Sequence, residues 1–256
     1  GFAPLSAHKR HKHLPFGRIL CFGASRGRGN SIATAIELSV TTSDLKLRYN
    51  AQIVMEIIQL QNGLGECVLR ASGVLRKGGV IVYPTDTLYG LGADAFSDES
   101  VEKIYAIKGR DPQKPIHAVF ADLAMVEEYA IVNDAARKLA AEFLPGPLTM
   151  VLQKKPGITG GIGNVETIGV RIPDNDFCLE LAKTYGKPFT TTSANKAGVD
   201  PESEIQKIMN QLGGSVDLVI DGGVLPMSAP STVVDLLSGV PVILREGAIP
   251  SAQILK

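Results

Sequence analysis

The sequence predicts an α/β protein in which a mixed, twisted and mostly open sheet carries helices on its faces. Short runs rich in β-branched residues alternate with segments whose apolar residues recur every three or four positions. Polar side chains follow several of these runs directly, where an open α/β sheet binds its ligands. The sequence contains no internal repeat, and no second domain follows the last predicted strand.

The composition is ordinary for a globular protein, since 45% of the 256 residues are hydrophobic and 20% are charged. No apolar run approaches the roughly 20 residues of a bilayer span, so we expect no membrane association. The formal net charge is zero, but residues 1–36 hold six basic side chains and no acidic one. The remainder therefore has a net charge of −6, which argues against broad nucleic-acid binding through phosphate contacts.

Residues 1–50 are basic, rich in Ser and Thr, and free of acidic side chains before Glu37. This composition is typical of a chloroplast or mitochondrial transit peptide. A disordered basic arm is the alternative, and a cytoplasmic location is the less favoured one. We predict a boundary between this leader (1–50) and a globular domain over residues 60–250. The three widely spaced cysteines indicate neither a disulfide framework nor a zinc site and fit a reducing compartment.

The stretch 79–95 (GVIVYPTDTLYGLGADA) is the part of the sequence around which the rest is organised. Its apolar residues 80–83 are too few for a helix and predict a buried strand that ends at Pro84. Polar side chains then fill most of the next five positions, and two glycines allow a close approach of the backbone to a ligand. We therefore expect a ligand site at this strand end, formed by Thr85, Asp86, Thr87 and Tyr89.

The remaining elements follow from the same patterns. Helices are predicted over 66–77, 98–110, 122–130, 134–143, 176–185 and 201–212. Strands are predicted over 115–120, 148–154, 167–173, 187–195, 218–223 and 241–249. We expect Asp98 to cap the second helix, which brings Lys108 to the end of its buried face. The glycine-rich segment 156–164 is predicted to be a mobile loop, and 226–237 a polar turn.

Four polar loops follow or interrupt predicted strands, at 85–89, 190–195, 229–232 and 245–247. If they converge with Lys108, Arg110 and Arg171, the crevice offers three arginines and a lysine to anionic oxygens. Such a site suits phosphate and a reaction in which charge is stabilised rather than protons moved. Each residue alone also fits a helix cap, a turn or a surface ion pair. His117, the one histidine of the globular part, is expected to be structural, and no residue is assigned to a metal.

Seven motifs resemble, in order, those of the YrdC/Sua5 family of threonylcarbamoyl-AMP synthases, over roughly residues 66–250. They are PTDTLYGLG (84–92), KGR (108–110), PGPLT (145–149), GVRIP (169–173), TTSAN (191–195), PSTVVD (230–235) and LREGAI (244–249). The family signature Lys-x-Arg followed by Ser-x-Asn falls on Lys108, Arg110, Ser193 and Asn195. The chain looks like the single-domain YrdC type and like an organellar eukaryotic member. It departs from the common pattern at Asp86, where many members carry Glu.

The resemblance implies a sheet curled around a large concave basic cavity, in which L-threonine, bicarbonate and ATP, with Mg²⁺, yield threonylcarbamoyl-AMP and pyrophosphate. The product would supply the t6A modification of tRNA position 37 through a separate transferase machinery. Lys108, Arg110, Arg171 and Arg245 are the candidates for holding carbamate and phosphates. Ser193, Asn195 and Ser231 would position the nucleotide, and Thr85, Thr87 and Tyr89 the threonine or the reacting centre. Thr191 is a further candidate for substrate binding.

Three alternatives stay open at this point. A YrdC-like module could bind structured RNA weakly in its basic cavity without any synthase activity, although the acidic body weakens this hypothesis. The domain could instead transfer a carbamoyl group from carbamoyl phosphate, as the YrdC-like portion of larger hydrogenase-maturation proteins does. A purely structural protein is the least favoured, because polar loops follow so many strand ends.

Overall fold

The computed structural model describes residues 55–226 and 228–256, so the predicted leader over 1–50 lies outside the described residues. Those described form an eleven-stranded mixed sheet with helices on its two faces, as the sequence predicts. None of the helices in this part of the chain is long and apolar enough to cross a bilayer.

The strands run in the order β1-β9-β2-β3-β8-β4-β7-β6-β10-β11, and β5 pairs with β6 off this path. Parallel and antiparallel pairs alternate irregularly, so the sheet is mixed. The strands are β1 (Glu56–Gln59), β2 (Ile81–Tyr83), β3 (Gly90–Gly92), β4 (His117–Val119), β5 (Ala130–Ile131), β6 (Leu148–Lys154), β7 (Thr167–Arg171), β8 (Phe189–Ser193), β9 (Leu218–Asp221), β10 (Thr232–Asp235) and β11 (Val242–Arg245).

The described part has seven α-helices, of which the first six lie between strands, and two short 3₁₀ turns cover Leu60–Asn62 and Gly161–Asn164. The helices are α1 (Leu64–Arg76), α2 (Asp98–Lys108), α3 (Leu123–Tyr129), α4 (Asp134–Phe143), α5 (Asp176–Tyr185), α6 (Ile205–Leu212) and α7 (Ser251–Ile254). The sequence missed the two-residue β5 and the terminal elements β1 and α7, which have few residues for a pattern to act on.

Two apolar clusters cover the two faces of the sheet. Residues 80–83 belong alternately to one cluster and the other, because successive side chains of a strand point to opposite faces of the sheet. Val80 and Val82 pack with residues of α2, α4 and α6. Ile81 and Tyr83 pack with the buried faces of α1 and α5. Burial on both faces explains why the central strands are continuous apolar runs in the sequence.

The ends of α2 decide where the residues of the KGR motif point. Ser97, and not Asp98, caps the helix by accepting a hydrogen bond from the Ser100 amide at 3.2 Å, so the predicted cap was wrong by one residue. The helix ends two residues earlier than predicted, at Lys108, because Gly109 adopts the left-handed conformation with φ 60°. This turn separates the side chain of Lys108, on the helix, from that of Arg110, beyond it.

Two strands occupy segments in which the sequence predicted no strand. The strand β3 directly follows the polar loop 85–89, and β10 lies in the predicted turn 226–237. A Cβ atom at Gly90 would come within 2.7 Å of Cζ of Tyr83, so glycine lets the Tyr83 ring lie across β3. This strand has three residues, and Leu91 is its single apolar side chain between two glycines, so it shows no pattern that signals a strand.

The glycine-rich segment 156–164 is held against α2 and contributes no residue to the cavity described below. The amide of Gly161 and the side-chain amide of Asn164 both donate to Oδ1 of Asp98, each at 2.7 Å. The Ile162 amide donates to the Ala95 carbonyl at 2.9 Å. These contacts dock the 3₁₀ turn at the end of the segment, and the mobility expected for 156–164 stays a prediction.

Candidate active site

A cavity of about 300 Å³ lies where the predicted polar loops meet. Nine of the eleven site residues predicted from the sequence line it: Thr85, Thr87, Tyr89, Arg110, Arg171, Thr191, Ser193, Ser231 and Arg245. Strand pairing brings several of them together. His117 of β4 is paired with Thr191 of β8, and Arg171 of β7 with Thr149 of β6. The convergence inferred from strand ends is therefore present.

Three arginines reach this cavity from different elements, and none of the described residues that line it is acidic. Arg110 follows α2, Arg171 ends β7 and Arg245 ends β11. The Nε atoms of Arg110 and Arg171 are buried and have no hydrogen-bond partner among the described residues. Burial and the charges of Arg171 and Arg110 lower the pKa of Arg245. Positive charge this close together favours an anionic ligand with several oxygens.

Asp86 and Thr87 fix the guanidinium of Arg171. A single Nη2 atom of Arg171 lies 2.5 Å from Oδ1 of Asp86 and 2.6 Å from Oγ1 of Thr87. The other carboxylate oxygen of Asp86 accepts the Asp174 amide at 3.3 Å. The ion pair is almost fully buried, with side-chain exposures of 9% and 8%. It sets the position of one cation of the cavity.

The hydroxyl groups of Thr85 and Tyr89 are already engaged within the protein. Oγ1 of Thr85 donates to the Leu88 carbonyl at 2.6 Å and accepts the amides of Thr87 and Leu88. The Tyr89 hydroxyl donates to the Gly223 carbonyl at 2.6 Å and accepts the Gly222 amide at 3.0 Å. Burial raises the pKa of Tyr89 to about 12. Both residues line the cavity, but their hydroxyls shape the loop rather than face a ligand freely.

Ser231 and Arg245 form a second anchored group on the far side of the cavity. The Arg245 guanidinium donates to the Ser231 carbonyl at 2.7 Å, and Oγ of Ser231 lies 2.8 Å from Oγ1 of Thr149. Gly247 allows this arrangement, because a Cβ atom there would lie 2.1 Å from the Pro230 carbonyl oxygen. The serine hydroxyl is thus held between a neutral hydroxyl and a cation.

Lys108 and Asn195 do not line the cavity, although the sequence placed them in it. Lys108 is 2% exposed, and its ammonium group donates to the carbonyls of Ser193 and Asn195. It also lies 3.2 Å from Oδ1 of Asn195. Burial, and then the charge of Arg110, lowers the pKa of Lys108 to about 8. The physical reason is the Gly109 turn, which directs the lysine behind the 193–195 segment while the arginine reaches the cavity.

His117 lies in the cavity, whereas the sequence predicted only a structural role for it. Burial lowers its pKa to about 4, with further lowering by the charges of Arg245, Arg110 and Arg171. The imidazole is therefore neutral at pH 7. The sequence also missed Thr149, Thr192, Ser228 and Pro201 as lining residues. Paired residues of neighbouring strands point to the same face of a sheet, so Thr149 lies on the same face as Arg171. The sequence does not show that these two residues are paired, and Thr149 was therefore missed.

The described residues contain no group of three or more His, Cys, Asp or Glu side chains placed to hold a metal ion. The site therefore consists of fixed cations and hydroxyl groups. It can bind an anion with several oxygens and stabilise negative charge that develops between two anions.

A mixed α/β fold with such a cavity defines a protein that binds an anion with several oxygens. The family model for Sua5, YciO and YrdC, described as "Telomere recombination", matches residues 73–247. The chain belongs to this family.

The relatives agree with this membership. The chain is 40% identical over 180 residues to a protein of Methanocaldococcus jannaschii, covering 70% of this chain and 85% of the relative. It is 34% identical over 203 residues to the threonylcarbamoyl-AMP synthase of Pyrococcus abyssi, covering 78% of this chain and 60% of that one. The chain thus spans less than two thirds of the Pyrococcus protein.

Solved structures share the fold. The crystal structure of Pyrococcus abyssi Sua5 complexed with L-threonine has a TM-score of 0.72 at 31% identity, covering 78% of this chain and 59% of that one. Escherichia coli YciO has a TM-score of 0.70 at 31% identity, covering 79% of this chain and 98% of that one. The predicted YrdC-like fold is confirmed.

Proposed function

We propose that this chain is a threonylcarbamoyl-AMP synthase, which converts L-threonine, bicarbonate and ATP into threonylcarbamoyl-AMP and pyrophosphate. The observation that carries the proposal is a cavity lined by three arginines and by no acidic side chain among the described residues, in a member of this family. The synthase name of the Pyrococcus relative and the L-threonine complex of its structure support the same reaction.

The proposed reaction has two steps. The threonine nitrogen attacks the carbon of bicarbonate, and loss of water leaves an N-carboxylate. An oxygen of this carboxylate then attacks the α-phosphorus of ATP, and the bond from that phosphorus to the bridging oxygen of pyrophosphate breaks. Two anions must meet in the second step, so their repulsion dominates the barrier. Arg110, Arg171 and Arg245 offset that repulsion as fixed charges.

The protein contributes positioning more than proton transfer in this proposal. Arg171 is fixed by Asp86, and Arg245 by Ser231, before any ligand binds. Charges that are already oriented stabilise a transition state without reorganisation at the moment of reaction. Ser193, Thr191 and Ser231 line the cavity as hydroxyl donors for phosphate or ribose oxygens. Lys108 and Asn195 act indirectly, by holding the segment that carries Ser193.

Mg²⁺ is part of the proposal as the companion of the ATP phosphates. Mg²⁺ in nucleotide sites is often held by phosphate oxygens and water with one or two carboxylates at most. A cavity of arginines and hydroxyls suits a metal that enters with its nucleotide, where it would withdraw charge from the leaving pyrophosphate. Omission of Mg²⁺ from the assay below tests this assignment.

The product is a reactive carbamic–phosphoric anhydride, so a transferase must consume it. We assign that role to the machinery that forms t6A at position 37 of tRNA, as the family resemblance implies.

We also propose that residues 1–50 direct the protein to the chloroplast or mitochondrion, on composition alone. Import of the full chain should fail when Lys9, Arg10 and Lys12 are all replaced by Gln.

The decisive experiment is pyrophosphate release by the purified full chain with ATP, bicarbonate and Mg²⁺. We expect release to depend on L-threonine and to be much slower with an equal concentration of L-serine. Carbamoyl phosphate in place of bicarbonate and ATP tests carbamoyl transfer. No release with any amino acid, together with salt-dependent RNA affinity, would overturn the synthase proposal in favour of an RNA-binding module.

A further inference from the structure

His117 occupies a position in the cavity that the proposed reaction does not yet use. It begins β4, and its ring lies against the backbone of β7 at Gly169. A Cβ atom at Gly169 would come within 2.2 Å of Cδ2 of His117, so the ring depends on the missing side chain there. The imidazole is therefore held in place by packing, and it is part of the cavity lining.

The charges that face His117 come from three separate elements. Arg245 lies at the end of β11, Arg110 follows α2, and Arg171 ends β7. None of the described residues that line the cavity is a carboxylate, and Asp86, behind Arg171, is bound to that arginine. The paired strand β8 presents the neutral Thr191. A proton on His117 in the empty cavity would thus be repelled by three cations, which together with burial explains its low pKa.

An anion with several charges would reverse this electrostatic effect on the protonation of His117. A polyphosphate in the cavity would face the same arginines and compensate their charge, so the repulsion on a proton at His117 would become an attraction. Because His117 lines the cavity, its ring would then face anionic oxygens. A protonated imidazole donates hydrogen bonds from both nitrogens.

We propose that His117 is a conditional phosphate ligand, neutral in the empty cavity and protonated when a polyphosphate anion enters. This proposal rests on the proposed function in taking ATP as the natural anion. It gives the site a fourth cation only while the triphosphate is bound. The charge on His117 then falls again when the anion leaves, with the proton returned to solvent.

The test measures the protonation of His117 in the full chain, with inorganic tripolyphosphate and with ATP as separate probes. Histidine labelled with ¹³C at Cε1 gives four resonances, one for each histidine of the chain. The His117→Gln variant assigns the fourth, and His13→Gln, in the leader, is the matched control. We expect the His117 resonance to titrate near pH 4 alone and about three pH units higher with saturating tripolyphosphate.

Affinity provides a second, independent readout. Between pH 8 and pH 6, the Kd of the wild-type chain for tripolyphosphate should fall about tenfold more than that of His117→Gln. Both proteins experience the same protonation of the probe, so their difference isolates His117. Calorimetry at pH 7 in two buffers with different ionisation enthalpies should report proton uptake for the wild type and His13→Gln, but not for His117→Gln.

The outcomes separate the two proposals. If tripolyphosphate and ATP bind while His117 stays neutral at pH 6.5, the inference is wrong and the synthase proposal stands. If neither anion binds at any pH, the cavity is not a phosphate site and both proposals fail. The wild-type resonance answers the question even if His117→Gln does not fold, because His8, His11 and His13 can be assigned by their own variants.

Discussion

The Arg171 guanidinium lies 2.5 Å from the Asp86 carboxylate in an ion pair that is less than one-tenth exposed on either side. This pair joins the loop after β2 to the end of β7, and so ties the stretch 79–95 to the opposite wall of the cavity. A buried pair of this kind is costly to break, because removal of one partner leaves the other charge without compensation.

Asp86→Asn should destabilise the protein by about 3 kcal/mol, because Arg171 keeps only its hydrogen bond to Thr87. Urea unfolding followed by circular dichroism measures the loss. Asp86→Glu, which retains the charge, should lose less than half as much. An Asp86→Asn protein as stable as the wild type would mean that Arg171 is satisfied without the carboxylate.

Arg110→Ala should lower kcat/KM for threonine-dependent pyrophosphate release by about 100-fold to 1000-fold, as loss of one fixed charge at a transition state does. Its effect on unfolding should be small, because its guanidinium makes one hydrogen bond, to the Pro115 carbonyl. Arg137→Ala is the matched control, since Arg137 forms an exposed pair with Glu127 far from the cavity lining. Equal activity of both variants would remove Arg110 from the site.

His117 gives the stability of the ligand-free protein a specific dependence on pH. Its folded pKa of about 4 lies below the ordinary value of 6.5, so the unfolded chain binds more protons between these two values. The free energy of unfolding associated with a neutral His117 is at its full value above pH 6.5. It is lost as the pH falls towards 4, by up to about 3 kcal/mol. Unfolding free energies at pH 4.5 and 7 should therefore differ by less in His117→Gln than in the wild type.

Gly169→Ala should displace the His117 ring, because the new methyl group would lie 2.2 Å from Cδ2. We expect a destabilisation of about 1–3 kcal/mol, typical of overpacking, and weaker tripolyphosphate binding. Gly73→Ala, in the middle of α1 where no atom lies within 4 Å, should instead stabilise the chain by about 0.5–1 kcal/mol. Unfolding curves of the two variants that shift in the same direction would contradict this packing.

Thr149→Val should weaken the anchoring of Ser231, whose hydroxyl lies 2.8 Å from Oγ1 of Thr149. Removal of one buried partner costs about 1–3 kcal/mol in stability. The activity should fall through a higher KM for ATP, with a smaller effect on kcat. Thr149→Ser, which keeps the hydroxyl, should have the KM of the wild type. A raised KM in Thr149→Ser would show that the methyl group of Thr149, and not its hydroxyl, determines the KM.

Much of the fold could be predicted from the sequence, because its central strands and amphipathic helices have strong and distinct periods. The apolar run 80–83 contains all of β2, and the patterns at 134–143 and 176–185 match α4 and α5 residue for residue. The prediction failed at Gly90–Gly92, where a single apolar residue between two glycines forms no pattern. It failed again at β10, whose apolar residues were taken as part of a polar turn.

The chemistry that the site offers follows from the residue order, because the motifs supply the arginines and hydroxyl groups. Which of these groups share the cavity depends on the three-dimensional packing of the chain. Lys108 and Arg110 are two residues apart, yet the left-handed turn at Gly109 sends the first behind the site and the second into it. His117 enters the cavity through pairing with β8 and the open space at Gly169. Pairing between distant strands and the direction of a side chain at a turn depend on contacts far apart in the sequence, and local patterns do not contain them.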